Sequence, residues 1–242
     1  MDVNKVRGMV IGVRQSGDAD KFVTVLTRNK GKLTFYAKGA FKPKGKLTAA
    51  TELFTCAEFV YSSAKGLNVL QGADITESFY ELREDIESLA YAGYFSELAD
   101  SFTAYKVNDE VILVLLYLCI KELLRKVYKY KHIRAVYETG LLRFSGYISD
   151  FSSCDVCGNA TEYIGMEGGY CKEHKQVQSI FVNKPVLKAI KYICESPVKN
   201  ILSFSLDEKY LDELCAVNDE FIKDIIPYKL KSRKFLKDIC ND

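Results

Sequence analysis

Residues 22–37 read Phe-Val-Thr-Val-Leu-Thr-Arg-Asn-Lys-Gly-Lys-Leu-Thr-Phe-Tyr-Ala. The runs Phe22 to Thr27 and Leu33 to Ala37 are rich in β-branched and aromatic residues. Asn29-Lys30-Gly31 between them is a turn signal, so the two runs form a β-hairpin. Upstream, Val6, Met9, Val10, Ile11 and Val13 make another β-rich run; downstream, Phe54 to Tyr61 and Leu67 to Gln71 add two more, joined through Ser62, Ser63 and Gly66. Five short strands within the first eighty residues suit a small barrel of the OB type, with a lone two-layer sheet as the alternative.

Near Glu77 the period changes from two to that of a helix. Leu82, Ile86, Leu89, Ala90, Gly93, Tyr94, Leu98 and Phe102 recur every three or four residues, Val111 to Val127 forms a second, more buried helix, and Arg134 to Phe144 a third. Farther on, Asn183 is placed to cap a helix that stops by Pro197. Ser205 with Glu208 reads as a capping box for another through Leu211, Leu214, Val217 and Phe221.

Between these helical stretches lie Cys154-x-x-Cys157 and Cys171-x-x-His174, separated by a segment containing Gly165, Gly168 and Gly169. Two tight corners on a glycine-bearing hairpin bring four zinc-type ligands together, and four protein ligands fill a tetrahedral sphere. The site therefore predicts a structural zinc ribbon, with no open position for water or substrate. The expected architecture is α+β and multidomain. It has an OB-type nucleic-acid-binding barrel over 1–80 and a helical domain in two parts, 81–150 and 181–242, with the ribbon inserted at 151–180. A length of 242 residues agrees with two or three units. The other five cysteines, Cys56, Cys119, Cys194, Cys215 and Cys240, show no paired spacing. An odd number of scattered thiols and no signal-peptide pattern predict a reducing cytoplasm. The apolar stretch Val111 to Ile120 is too short to cross a bilayer, so no membrane association is expected.

The net charge of +2 averages opposed regions: residues 1–48 hold eleven Lys/Arg against three Asp/Glu, whereas 49–118 hold three against twelve. A basic head suits a polyanion. Within it, Lys38, Lys42, Lys44 and Lys46 crowd a Gly/Pro loop beside Phe41, a pattern suited to phosphates along a groove and bases stacked on Phe35, Tyr36 or Phe41. A phosphate-cradling P-loop is excluded, because Ala40 stands where its first glycine is required and Leu47 where its Ser/Thr is required. Lys121, Arg125 and Lys129 follow at i, i+4 spacing, which puts them on one helix face as a cationic stripe or a solvated face, in a basic segment that also holds Lys126, Lys131 and Arg134. Lys229, Lys231, Arg233, Lys234 and Lys237 close the chain as either a docked tail or a phosphate contact. No hydrolase, zinc-protease or dinucleotide fingerprint occurs, and the chain lacks the H-x-E element of a zinc deaminase. His132 reads as a surface residue, and no enzymatic activity is expected.

The run Arg14 to Gly17 with Asp20, Phe22 to Arg28, Gly31-Lys32-Leu33 and Ala37-Lys38-Gly39-Ala40 resembles the N-terminal signature of the bacterial RecO family. Leu82-Arg83, Gly146-Tyr147 before the cysteine corner, Gly168-Gly169-Tyr170-Cys171 and Lys231-Ser232 extend the resemblance over almost the whole chain. It implies a non-enzymatic DNA recombination mediator, cytoplasmic and nucleoid-associated. Such a protein binds single- and double-stranded DNA, anneals complementary strands, and works with RecR to help RecA displace single-stranded-DNA-binding protein. On that resemblance Arg14, Arg28, Lys30 and Lys32 join Lys38, Lys42, Lys44 and Lys46 as phosphate contacts, with the acidic segment turned away or toward a partner. Metal-binding members commonly carry four cysteines, so His174 is a departure that zinc tolerates. A zinc-ribbon protein-interaction adaptor and an RNA-binding OB protein are the competing classes.

Overall fold

In the computed structural model, which describes residues 3–64, 66–107 and 109–240, the first unit is built on strands that turn alternate residues toward a barrel core, with β-branched and aromatic side chains on the inner face. The strands β1 (Val3–Ser16), β2 (Asp20–Thr27), β3 (Gly31–Ala37), β4 (Thr55–Ala64) and β5 (Leu67–Ser78) close into a barrel of order β1-β2-β3-β5-β4, the OB arrangement. Val10, Val23, Val25, Leu33, Phe35, Phe59 and Leu70 point inward and are buried, while their neighbours in sequence point out. The strands are longer than the hydrophobic runs predict. β5 continues through Glu77 to Ser78, where helical periodicity was expected to begin, because its edge pairs with β4 as far as Thr55↔Ser78.

The chain forms two compact units. The first comprises residues 1–124 and 230–241, and the second 125–229. In the first, a 3-10 turn at Tyr80–Glu84 leads into α1 (Ile86–Phe102), followed by α2 (Glu110–Arg125). Asp85 caps α1 by accepting from the Glu87 N–H. α1 lies against β1 and against α6 (Lys231–Cys240), the element that returns to this unit from the far end of the sequence.

The second unit holds α3 (Tyr130–Phe144), a small sheet of β6 (Tyr163–Gly165), β7 (Gly168–Tyr170) and β8 (Ile180–Phe181) in the order β7-β6-β8, then α4 (Lys184–Glu195) and α5 (Glu208–Ile225). Asn183 does occupy the cap position of α4, but its side chain donates to Glu213 instead of capping. The expected Ser205/Glu208 box does not form, since α5 starts at Glu208 with Asp207 in the cap position. α3 and α5 are held by a buried polar set. Arg134 donates to Glu138 at 2.8 Å and to Asp219 at 2.9 Å, and Asn218 donates to Glu138 at 3.3 Å. Arg134, grouped with the surface cations by its sequence neighbourhood, is thus a core residue that cannot meet a ligand. Two buried ions in contact require each other, and losing either partner from such a pair typically costs about 3–5 kcal/mol.

His132 is likewise buried, not on the surface. Its ring stacks on Tyr128 with centroids 5.2 Å apart, touches Phe204, and lies 3.2 Å by Nε2 from the Leu202 carbonyl oxygen. Burial holds its imidazole below the ordinary 6.5, outweighing the Leu202 carbonyl, which acts the other way. The unfolded chain therefore binds the proton first, so stability is full above the unfolded value and drains as the pH falls toward the folded one. Denaturant unfolding followed from about pH 7.5 to about pH 5.5 should show falling stability, and His132→Phe, which keeps a ring in the stack, should remove part of that fall.

Candidate nucleic-acid interface and metal centre

Register places a cation and two rings in one row across the barrel. Arg14 pairs with Phe22 across β1 and β2, and Phe22 with Tyr36 across β2 and β3. Because Val23 and Phe35 face the core, their neighbours Phe22 and Tyr36 face outward. The Arg14 guanidinium sits 5.2 Å from the Phe22 centroid, and the Phe22 and Tyr36 rings are 5.4 Å apart. Phe35, one of three aromatics suggested for base stacking, is fully buried and unavailable, whereas Phe41 is 48% exposed.

Asp20 joins this row to the lysine loop. It accepts from the Tyr36 hydroxyl and, at 2.7 Å, from the Gly39 N–H. The Tyr36 hydroxyl first, and the Gly39 N–H second, hold the Asp20 carboxyl below its usual range, with Lys38 and Lys42 adding to the effect. The same bond pushes the Tyr36 phenol up. Beyond Gly39 the backbone runs through linked turns, Lys42 N to Gly39 O, Gly45 N to Lys42 O and Thr48 N to Gly45 O. A Cβ on Gly45 would stand 2.7 Å from both the Gly39 carbonyl oxygen and the Thr48 hydroxyl, so this turn is too tight for a side chain. Ala40 and Leu47, the two residues that rule out a P-loop, plug the loop into the barrel core. Lys38, Lys42, Lys44 and Lys46 remain exposed, and none forms an ion pair among the described residues.

The other expected contacts are placed differently. Arg28 pairs with Glu110 at 2.6 Å and Lys32 with Asp100 at 2.8 Å, and Lys30 donates to Tyr61 and Asn4. Lys5 and Arg7 share Glu58, and Lys21 is buried against Glu52 at 2.8 Å. Five of the eleven head cations are thus neutralised by acids of 49–118, which sequence position alone does not disclose. Lys121 and Arg125 share α2, with Lys121 against the Tyr117 ring. Lys129 lies past the end of that helix, in the cap position of α3, and pairs with Glu208, so the three do not share one helix face.

The second site is built by two corners. Cys154, Cys157, Cys171 and His174 bring their ligand atoms within 4.8 Å of one another. Cys157 and Cys171 sulfurs are 3.7 Å apart, and His174 Nδ1 lies 3.8 Å from Cys154 and 3.3 Å from Cys171. A tetrahedron with metal–sulfur bonds of about 2.3 Å has an edge of about 3.8 Å, so these donors fit a first-row metal ion, with Nδ1 as the histidine ligand. Burial opposes ionisation of Cys154, yet backbone N–H groups of Cys171, Val156 and Cys157 outweigh it and bring the thiol down to about 6. Asp155 fastens the corner to the hairpin. Its carboxylate accepts from the Gly169 N–H at 2.8 Å, and its own N–H donates to the Gly169 carbonyl at 2.9 Å. Gly168, at φ +147, passes so close that a Cβ would lie 1.9 Å from the Asp155 carboxylate.

The family model described as Recombination protein O N terminal matches residues 1–79, and that of Recombination protein O C terminal matches residues 83–234. Among curated proteins, the DNA repair protein RecO of Acetivibrio thermocellus is 31% identical over 98% of this chain and 97% of its own length. Those of Bacillus mycoides and Bacillus cereus are 29% and 28% identical, each over 97% of both chains. No helix among the described residues is long and apolar enough to cross a membrane.

The geometry of the four-donor centre predicts a tetrahedral complex. Titrating the metal-free protein with Co²⁺ should produce the intense visible bands of tetrahedral thiolate coordination. Cys157→Ser should weaken them and loosen the 151–180 segment to proteolysis, leaving the melting of the barrel unit in place.

Proposed function

The chain belongs to the RecO family of DNA repair proteins, and from that membership we propose that it acts as a non-enzymatic recombination mediator, binding single- and double-stranded DNA on its barrel unit and annealing complementary strands. The observation that carries the reading is the unpaired lysine loop beside the outward Arg14–Phe22–Tyr36 row. Cations without internal partners give up only water and counterions on meeting phosphates, and the exposed Phe41 ring with the half-buried Phe22 and Tyr36 rings offers stacking surface to bases. Arg28 and Lys32 contribute less on this reading, because phosphate must first displace Glu110 and Asp100. Lys30 flanks the same barrel, and Lys121 and Arg125 are supporting contacts for duplex DNA. In the cell the protein would work in the cytoplasm with RecR and single-stranded-DNA-binding protein to help load RecA.

The ion of the Cys₃His centre is proposed to be zinc, with a structural role. It would cross-link the two corners of the ribbon through Cys154, Cys157, Cys171 and His174, all four positions being filled by protein. Elemental analysis of protein purified without a metal-binding tag should return about one zinc per chain.

DNA binding is tested by salt titration. Lys42→Ala/Lys44→Ala/Lys46→Ala should weaken single-stranded DNA binding and lower the slope of log affinity against log salt by up to about 2, since each single-strand phosphate contact contributes roughly 0.7. A matched change at Lys199, Lys209 and Lys223 should do little, and equal loss in both variants would show dependence on overall charge alone. RNA of the same sequence serves as the competing ligand. Asp20 gives a test of opposite sign. By charge alone, removing this acid should tighten DNA binding, whereas loss of its grip on Tyr36 and Gly39 should loosen it. Asp20→Ala should weaken binding roughly fivefold, the worth of about 1 kcal/mol of hydrogen bonding, while Asp20→Asn, which still accepts from Gly39, should stay close to wild type.

A further inference from the structure

The barrel and ribbon leave α6 without a role. Leu236 is the one fully buried residue of this ten-residue helix, so burial of apolar surface explains little of its presence. It is nevertheless fixed firmly. The Glu97 carboxylate of α1 accepts from the Lys231 N–H at 3.1 Å, the Ser232 N–H at 2.7 Å and the Ser232 hydroxyl. A side chain from another helix thereby caps the first turn and sets a negative charge at the positive end of the helix dipole. Arg233 lies over the Tyr94 ring, 5.6 Å from its centroid.

The outer face is cationic. Lys231, Lys234 and Lys237 are exposed, and none forms an ion pair within 4 Å among the described residues. Phe235, 44% exposed, sits among them, and Asp238 is the single acid of the helix. At 100° per residue, Lys231, Lys234 and Phe235 share one face, with Lys237 at its edge. Had these lysines served to neutralise α1, they would be found against its acids. Instead Glu97 is occupied by backbone N–H groups and the lysines are left to solvent.

We propose that Lys231, Lys234, Phe235 and Lys237 form a second nucleic-acid contact of the barrel unit, holding a phosphodiester strand distinct from the one on the lysine loop. The proposal rests on the DNA-binding reading given above. Annealing requires two strands to be screened from each other while held on one protein, and a second cationic surface with an exposed ring supplies the same chemistry as the first.

The test uses the full chain, with Lys234→Ala/Phe235→Ala/Lys237→Ala, which leaves the Glu97 cap intact. Two short, non-complementary oligonucleotides carry donor and acceptor dyes. The variant should bind one oligonucleotide within about twofold of wild type, lose the energy transfer that reports two bound strands, and anneal complementary strands at least about fivefold more slowly. Lys234→Arg/Lys237→Arg, which keeps charge and ring, should retain both. Unchanged energy transfer and annealing in the alanine variant would overturn the proposal. So would loss of single-oligonucleotide binding as large as that of the lysine-loop variant, which would put α6 on the first strand. Binding of a polyglutamate peptide that depends on α6, with two-strand capture unaffected, would mark an acidic protein segment as the ligand and also overturn it. If the wild type binds no oligonucleotide, the DNA reading itself fails, an outcome distinct from all of these.

Discussion

Closure of the barrel is the constraint on which the other features depend. β1 serves as partner to β2 along one stretch and to β4 along another, with its register to β2 shifting between Val10 and Gly12. The seam between β3 and β5 is short, Phe35↔Asn68 and Tyr36↔Val69. Asn68 seals it by donating to the Thr34 carbonyl while accepting from Ser63. With no free edge, the register of every strand is fixed, and a slip of one residue would turn the core face outward. The alignment of Arg14, Phe22 and Tyr36 is thus a by-product of closing the ring around Phe35 and Phe59. That outer row inherits its precision from the apolar interior.

The charge distribution shows a similar economy. A basic head and an acidic successor suggest two opposed surfaces, but in the folded unit the acidic segment quenches the head selectively. Glu52, Glu58, Asp100 and Glu110 take Lys21, Lys5 and Arg7, Lys32 and Arg28. What survives is concentrated on a loop whose backbone is pinned by Ala40, Leu47 and Asp20. The solvent-exposed pairs among them, Lys5–Glu58, Arg7–Glu58 and Arg28–Glu110, contribute little to stability, typically about 0–1 kcal/mol. Their larger effect is to sharpen a diffuse positive field into a local one.

The barrel was legible because period-two alternation and a turn signal are local properties, as was the metal centre because ligand spacing is written along the chain. Cys154 to His174 converge as their spacing predicts. What stayed hidden depends on partners distant in sequence. Arg134 and His132 lie in a basic stretch and look like surface residues, yet Glu138, Asp219 and Phe204 receive them in the interior. Asn183 was a reasonable cap until Glu213, thirty residues away, claimed its amide. Lys30 and Lys38 are indistinguishable by composition, and only the fold puts Tyr61 beside the first. The outward ring of Phe22 was the nearest to a missed signal, since alternation around Val23 already assigns it to the solvent face.

The return of α6 to the barrel unit has a consequence for how the protein comes into being. That unit is discontinuous in sequence, with residues 125–229 intervening between its main body and its last helix. During synthesis the strands and α1 emerge first, and Glu97 has no helix to cap until the whole ribbon unit has been made. The Glu97–Ser232 contact spans 135 residues, a separation that makes it among the slowest to form by chain diffusion. Nascent chains therefore pass through an interval in which the barrel is formed and the α1 face that receives α6, with Glu97 and the Tyr94 ring, is still uncovered. Arrival of α6 is the step that ends this interval, so the maturation of the first unit is timed by the translation of the second.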